Sequence, residues 1–359
     1  MPSRGAPVPQ KGKKPRPIVI SRLEDRIVRR SILGVLQSQK EIKEYVHTPN
    51  SFGGIENRSV KCAISTACNY IKKGLKYYIT SDIKKFFTKI PRLTVVKTLT
   101  GLLPENSLND ILSRATKTEL ENLALLGEQA DLFPSYEIGV AQGCCLSPLF
   151  GNILLFEFDK ELNCNPDEVV CLRYIDDILL LGKNSRVLEK TFKYARSILR
   201  EFNMETYLPN DTTGKSKQGK VSDGFNYLGC FINEDFIHPS DEKRKDIKIK
   251  IKKLLDEHSK GIKEINSSSW NNRHSLINTI NDVSNTLMGW GNQYSFCNSK
   301  NLFQEIDKDI NAYIENYLKE YHTVKRKLSN NKDHDGYRRI LGVHLLSESK
   351  SSPILPLKE

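Results

Sequence analysis

No stretch of roughly 18 or more apolar residues occurs in this 359-residue sequence, so nothing in it reads as a membrane-spanning helix. The opening Met1-Pro2-Ser3-Arg4-Gly5 likewise has no apolar core of a secretory signal, and a cytoplasmic protein is expected. Cysteine is present but unorganised. The eight, at positions 62, 68, 144, 145, 164, 171, 230 and 297, form no C-x-x-C pair and are joined by no matching histidine pair, which excludes the usual spacings of structural zinc and of a disulfide framework. Cys144-Cys145 are read as small packing residues. No internal repeat is apparent, so a solenoid is excluded as well. What the chain does have is positive charge. Lysine and arginine number 55 against 43 acids, and the net +12 sets up a field that attracts polyanions, with nucleic acid the leading candidate.

The hydrophobic fraction of 38% is enough for one sizeable core and two or three contiguous subdomains. Residues 1–17, rich in proline, glycine and base, read as a flexible basic arm that settles near Arg16. Leu23, Ile27, Ile32, Val35 and Leu36 recur at helical spacing with Asp25, Arg26, Arg29 and Arg30 between them, an amphipathic helix with a basic face. Leu75 to Ile79 reads as a strand running into Thr80-Ser81-Asp82. Residues 92–130 look helical with a break at Pro104, and a glycine-marked turn at 139–143 leads into a helix over 146–162. Val169 to Tyr174 and Ile178 to Leu181 predict two buried strands joined by a short turn at Asp176-Asp177. A helix over about 185–202 and a strand over 225–232 follow, and from Asp241 the chain reads as helical and basic. That basic face is either a solvated surface or a nucleic-acid contact.

Asp82 and the Asp176-Asp177 pair are far apart in sequence, yet each is expected at the end of a buried strand, where one sheet can bring them together. Three carboxylates crowded at a sheet edge repel one another unless divalent cations sit between them. Two such cations suit phosphoryl transfer, one activating a primer 3′ hydroxyl and the other steadying the pyrophosphate leaving group. Mg²⁺ matches hard oxygen ligands best. Taken alone, Asp-Asp is equally a hairpin turn, where Asp is common for backbone reasons.

The remaining segments decide between these readings, because from Arg16 to Tyr294 the sequence resembles, in order, the reverse transcriptases, especially their bacterial group II intron-like branch. Arg16 to Ile20 with Asp25 to Val28 looks like the family's first motif, and Ser51-Phe-Gly-Gly54 with Arg58-Ser59 like its second. Ser81 to Phe87 is similar to the palm motif that bears the first aspartate. Gln142-Gly143 with Ser147-Pro148 and Asn152 resembles the nucleotide-positioning turn and helix. Tyr174-Ile-Asp-Asp177 resembles the segment with the other two aspartates, Phe225 to Gly229 the primer-gripping strand, and Gly289-Trp290 with Tyr294 a thumb element.

The resemblance implies that Asp82, Asp176 and Asp177 bind the metals, with Ile83 lending its backbone carbonyl. It implies that Phe87 lies under the sugar of an incoming deoxynucleoside triphosphate and excludes a 2′ hydroxyl; the alternative is a core aromatic beside Phe86. Gln142 and Gly143 would contact the incoming nucleotide or template base. Arg16, with Lys14 or with Lys14 left in the basic arm, would clamp the triphosphate. Tyr227, Leu228 and Gly229 would grip the primer. Three departures stand out. Ala141 occupies the place of the family's proline, the lysine expected near 210–213 is missing with Lys215 nearby, and Ile175 fills the variable slot of the turn with a stiff β-branched side chain.

The expected fold is α+β, a right-hand polymerase. Fingers and palm would occupy 1–240, with the palm core at about 76–91 and 137–240, a helical thumb would occupy 241–330, and a tail 331–359. With only that tail after position 330, no nuclease domain is expected, and the intact Gln-Gly-x-x-x-Ser-Pro pattern argues against the diversity-generating branch. What remains resembles stand-alone, domesticated bacterial reverse transcriptases, several of which serve in antiphage defence. The expected partners are an RNA template, a dedicated non-coding RNA among the options, together with deoxynucleoside triphosphates and the DNA product. The competing readings are a maturase-like RNA-binding protein with vestigial polymerase activity and an RNA-dependent RNA polymerase; a bulky Phe87 argues against the last.

Overall fold

The proline-rich N-terminus is not a loose arm. In the computed structural model, which describes residues 2–10, 13–103, 106–135, 137–209, 211–265 and 270–348, strand β1 (Arg4–Gln10) pairs antiparallel with β2 (Lys13–Ile20). Pro7 faces Pro17 in the register, and a two-stranded ribbon tolerates their missing donors because each strand has a free edge. Ser3 exchanges backbone hydrogen bonds with Glu119 and Glu121, and Gly5 is held at both its N–H and its carbonyl by the Asn122 amide at 2.8 and 2.9 Å. Those bonds and the burial of Val19 beside Phe133 and Ala141 order a segment whose composition alone predicts disorder.

Helices α1 (Leu23–Ser38), α2 (Lys40–Val46) and α3 (Val60–Lys72) follow. The buried face of α1 is Arg29, Ile32, Leu33 and Leu36, whereas Leu23, Ile27 and Val35 lie exposed, so its packing stripe is rotated from the expected one. Arg29 is accommodated because its Nε donates to the Ala115 carbonyl at 2.9 Å and its Nη1 to Ser21 Oγ. Strand β3 (Tyr77–Asp82) leads to α4 (Phe86–Lys89), α5 (Arg92–Leu102), α6 (Asn109–Thr116) and a 3₁₀ segment at Leu123–Leu132. Residues 117–122 are not helical, which shortens the helical run expected over 92–130. The helix expected over 146–162 is two, α7 (Ser147–Leu154) and α8 (Phe156–Glu161), separated at Leu155.

Strands β4 (Val169–Tyr174) and β5 (Asp177–Gly182), helix α9 (Ser185–Glu201), and strands β6 (Lys217–Lys220) and β7 (Phe225–Tyr227) complete the first of two compact units, residues 1–228. Its main sheet is antiparallel in the order β4-β5-β3-β6. Leu179, Leu180 and Leu181 on the inner strand are fully buried, and each such burial contributes about 1.5–3 kcal/mol relative to exposure. Helices α3 and α9 lie against this sheet, and the core continues through Ile79, Phe86, Phe150, Phe158, Phe192 and Leu199.

The second unit, residues 229–359, opens with the hairpin β8 (Cys230–Ile232) and β9 (Ile237–Pro239) and continues as α10 (Asp241–Lys263), α11 (Leu276–Gln293), α12 (Lys300–Asn330) and α13 (His334–Leu341). Ser240 caps α10 through the Lys243 N–H. Ile247, Ile251, Leu255 and Ile262 turn its apolar stripe toward Ile306, Ile310, Tyr317 and Tyr321, and most lysines fall on the other faces. The strand expected over 225–232 is interrupted, because Leu228 and Gly229 both take positive φ, 49° and 79°. No described helix is long and apolar enough to cross a membrane.

Candidate active site

Tyr78, Ile79 and Ser81 of β3 are buried against the continuous apolar run of β5, and the way these two strands pair decides where the carboxylates fall. In the antiparallel register Asp82 faces Asp177 directly, and Tyr174 faces Asp177 from the other side. Ile175 and Asp176 are therefore the two-residue turn of the β4–β5 hairpin. Past Asp82 the chain is held from a third direction. Ser81 Oγ donates to the Tyr207 carbonyl at 2.8 Å, the Tyr207 N–H to the Asp82 carbonyl at 3.2 Å, and the Lys84 N–H to the Glu205 carbonyl at 2.7 Å. The Ile83 N–H donates to the Asp176 carbonyl at 3.0 Å, tying the end of one strand to the turn of the next. Ile83 itself is buried.

Crowding shows in the acidities. Desolvation, then the charges of Asp82 and Asp177, push the Asp176 carboxyl up to about 7, with Asp82 also hydrogen-bonded to it. Desolvation and Asp82 push Asp177 up to about 6 against the pull of Lys215, even though Asp177 keeps an open edge to solvent. Lys215 Nζ lies 3.3 Å from Asp82 Oδ2 and 3.1 Å from Tyr207 Oη, over the face of the Tyr207 ring. Burial lowers its pKa, but the Tyr207 bond and the Asp82 charge outweigh that and raise it. Among the described residues no three His, Cys, Asp or Glu side chains are drawn around one point at coordination distance. The donor set nonetheless fits a hard divalent cation: two acids whose charged forms burial and then neighbouring carboxylates disfavour, with an ammonium already against Asp82.

Phe87 is half-buried, its ring centroid 5.4 Å from that of Phe86, and its carbonyl accepts from the Val140 N–H at 2.8 Å. Phe86 is the one sunk in the core. The Gln142–Gly143 turn lies against β2: the Val19 N–H donates to the Gln142 carbonyl at 2.9 Å, and a Cβ on Gly143, at φ 106°, would come 3.2 Å from the Val19 carbonyl oxygen. The Ser147 hydroxyl donates to the Ala141 carbonyl at 2.6 Å, stiffening the turn where proline is absent. Arg16 projects exposed from the same strand β2; the side chain of Lys14 lies outside the described residues. Tyr227 is buried, with no hydrogen-bond partner for its hydroxyl among the described residues, and precedes the positive-φ pair Leu228 and Gly229.

Sequence reasoning passed over the group that underlies this arrangement. Arg173, in the middle of the apolar strand β4, is wholly buried and spends its donors on Asp159, Ser51, Asn152 and the Ile175 carbonyl. A charge inside an otherwise apolar run was the available signal.

Comparison with known proteins bears on this geometry. Residues 8–232 match the family described as reverse transcriptase (RNA-dependent DNA polymerase), and residues 245–335 match the group II intron maturase-specific domain. Protein YkfC of Escherichia coli K12 is 26% identical over 268 residues, covering 64% of this chain and 66% of that protein. The group II intron-encoded protein LtrA of Lactococcus lactis is 29% identical over 152 residues, 41% of this chain but only 23% of LtrA. Among solved structures, an apo telomerase from Candida tropicalis truncated from its C-terminal domain superposes with a TM-score of 0.47 at 13% identity, over 66% of this chain and 55% of that one.

Proposed function

The chain belongs to the reverse transcriptase (RNA-dependent DNA polymerase) family, whose right-hand polymerase fold its α+β architecture shares, and we propose that it copies an RNA template into DNA by two-metal nucleotidyl transfer. The observation that carries this reading is the register that sets Asp82 opposite Asp177, with Asp176 in the adjoining turn and the pKa values of Asp176 and Asp177 raised. A scaffold has no use for acids that destabilise one another, so the arrangement favours catalysis. Asp82, Asp176 and Asp177, with the Ile83 carbonyl, would hold Mg²⁺, which when bound supplies Lewis-acid stabilisation of the reacting phosphate and lowers the pKa of an attacking hydroxyl.

The chain's own groups do the positioning. Arg16 on β2 presents its guanidinium to the triphosphate, aided by Lys14. Gln142 and Gly143 contact the incoming nucleotide or the template base, and Phe87 closes the space a 2′ hydroxyl needs. Tyr227, Leu228 and Gly229 bend the chain where a primer end would be gripped. In this scheme residues 1–240 are fingers and palm, 241–330 thumb and 331–359 tail, and the basic faces hold template and product chiefly through phosphates, so binding weakens with salt. A cytoplasmic role in antiphage defence, with a dedicated non-coding RNA as template, is the biological setting we favour by analogy.

The test is extension of a labelled DNA primer on RNA with Mg²⁺, comparing deoxynucleotides with ribonucleotides, beside an Asp176→Ala, Asp177→Ala control. Deoxynucleotide extension lost in the control is expected; tight RNA binding without extension, primed or unprimed, overturns it. A second reading, an RNA-binding maturase with vestigial polymerase activity, is favoured by the match of residues 245–335 and by the lysine-rich α10. The defence role fails if deleting the gene leaves plating unchanged across a broad phage panel.

A further inference from the structure

The turn that carries Asp176 is strained. A two-residue hairpin loop matches the twist of its strands when its first central residue has positive φ, which Gly and Asn adopt and β-branched residues avoid. Here that residue is Ile175, at φ 61°. Such a conformer persists only where its surroundings over-determine it. Two contacts do so. Arg173 Nη1 donates to the Ile175 carbonyl at 3.0 Å, and the backbone of Gly53 is pressed so closely on the turn that a Cβ there would lie 2.3 Å from Ile175 Cγ1. Both contacts trace to one side chain. Asn152 Nδ2 donates to the Gly53 carbonyl at 3.0 Å while Asn152 Oδ1 accepts from Arg173 Nη2 at 3.0 Å. Ser51 Oγ accepts from the same nitrogen at 2.7 Å, and the backbone of Asn50 and Phe52 brackets Arg173 through two hydrogen bonds of 2.9 Å.

The guanidinium is in turn fixed by Asp159 of α8, which accepts from Nε at 2.7 Å and Nη2 at 2.6 Å, both partners being buried. Arg58 secures the far side of the loop by donating to the carbonyls of Thr48 and Ser51, and Thr48 Oγ1 donates to Asp159 Oδ2 at 3.3 Å. A planar fork whose Nε, Nη1 and Nη2 point in fixed directions can serve these acceptors together, Nη2 sharing its two hydrogens among three of them; a lysine ammonium cannot. A buried ion pair adds little net stability by itself, so specification of one geometry is the better account of its presence.

We propose that Arg173 is a positioning residue. Through the Ile175 carbonyl and the Asn152–Gly53 relay it clamps the hairpin turn in a strained conformer, and that conformer sets the placement of the Asp176 and Asp177 carboxylates. The inference rests on the assignment of those aspartates to the metals, and its test therefore includes a reading that needs no turnover. Mn²⁺ affinity is measured by EPR titration, and single-nucleotide kcat and KM by primer extension, for the full chain and for Arg173→Lys, Arg173→Lys with Ile175→Gly, and Ser51→Ala. Arg173→Lys is expected to weaken Mn²⁺ binding about tenfold and to lower kcat on the order of 100-fold, as lost support of metal ligands and ångström-scale misplacement do, with KM nearly unchanged. Because glycine adopts positive φ freely, the added Ile175→Gly is expected to restore at least about a tenfold share of the lost kcat. Ser51→Ala, which removes one guanidinium contact and leaves the bond to the Ile175 carbonyl, is expected to weaken Mn²⁺ binding less than Arg173→Lys does.

A variant Arg173→Lys with parental affinity and kcat, or a double variant that regains nothing, overturns the proposal. If Arg173→Lys does not fold, Arg173→Gln with Asp159→Asn removes both buried charges together and takes its place in the same comparison. Mn²⁺ binding that depends on Arg173 in a protein that extends no primer would sink the polymerase reading and leave this inference standing. Extension indifferent to Arg173 would do the reverse.

Discussion

Gly53→Ala is the sharpest probe of the site, because one methyl group is aimed at the backbone of the aspartate turn. Gly53 does not occupy a positive-φ conformation, so the substitution carries no backbone penalty of its own and its effect is steric. The added Cβ would lie 2.3 Å from Ile175 Cγ1, 2.7 Å from the Ile175 nitrogen and 3.0 Å from the Tyr174 carbonyl carbon. Ordinary contact begins near 3.4 Å, so something must retreat by up to about 1 Å, and two of the three obstacles are main chain. The Ile175 side chain can rotate; the peptide between Tyr174 and Ile175 can move only by carrying Asp176 with it. Overpacking of this kind costs about 1–3 kcal/mol, and a displacement approaching 1 Å at reacting groups costs on the order of 100-fold in rate. The expected phenotype is a folded protein with a modestly lower Tm, unchanged primer-template affinity and kcat down by one to two orders of magnitude. Single-nucleotide extension under saturating deoxynucleotide, with thermal melting alongside, reads both. Parental kcat together with a lowered Tm would refute the reasoning, since it would show that the turn absorbs the clash without moving its acids.

Three further outcomes are expected. Asp176 and Asp177 hold protons more tightly folded than unfolded, from an ordinary value of 3.8 up to about 7 and about 6, so the stability of metal-free protein should fall as pH rises from about 4 to about 7. Asp176→Asn should flatten that slope in denaturant titrations, and a stability that climbs over this interval in the parent would contradict the assignment. Asp159→Asn leaves the Arg173 charge buried without its carboxylate and should cost about 3–5 kcal/mol in urea unfolding, whereas a loss under about 1 kcal/mol would mean that the network repacks. Phe87→Val, by opening the space beneath the sugar, should raise incorporation of ribonucleotides relative to deoxynucleotides at least about tenfold, the scale on which one lost steric contact discriminates. An unchanged ratio would return Phe87 to being a core aromatic.

Much of the palm-like sheet was legible because strand signals there are strong. Apolar runs at 75–79, 169–172 and 178–181 with short polar breaks leave little choice of element, and the positions of Asp82, Asp176 and Asp177 at strand ends follow from them. Their register did not follow; it emerges from which faces are buried, a property of the whole sheet. The N-terminus misled in the other direction. Proline, glycine and lysine predict a loose arm, but the bonds that order β1 come from Glu119, Glu121 and Asn122, about a hundred residues away, and no local pattern announces them. The break at Leu228 was equally hidden, since only the following glycine suggested that a strand reading over 225–232 would bend.

The Arg173 network marks the boundary of what a linear reading can reach. A motif records side chains that meet the substrate, and such residues sit close together because a turn or helix start presents them. The residues that hold the motif in shape are selected by a different demand, satisfaction of every donor in a dry interior, and they come from wherever the fold passes nearby: Ser51 before α3, Asn152 on α7, Asp159 on α8. Even so, the demand leaves a trace in the sequence. An arginine inside Val169-Val-Cys-Leu-Arg-Tyr174 requires a buried acid somewhere, and of the three acids in the charged helix from Phe156 to Leu162 only Asp159, beside Phe158, falls on its buried face. Pairing unexplained buried charges of opposite sign before assigning roles would have pointed from one to the other, and from there to the turn that Arg173 restrains.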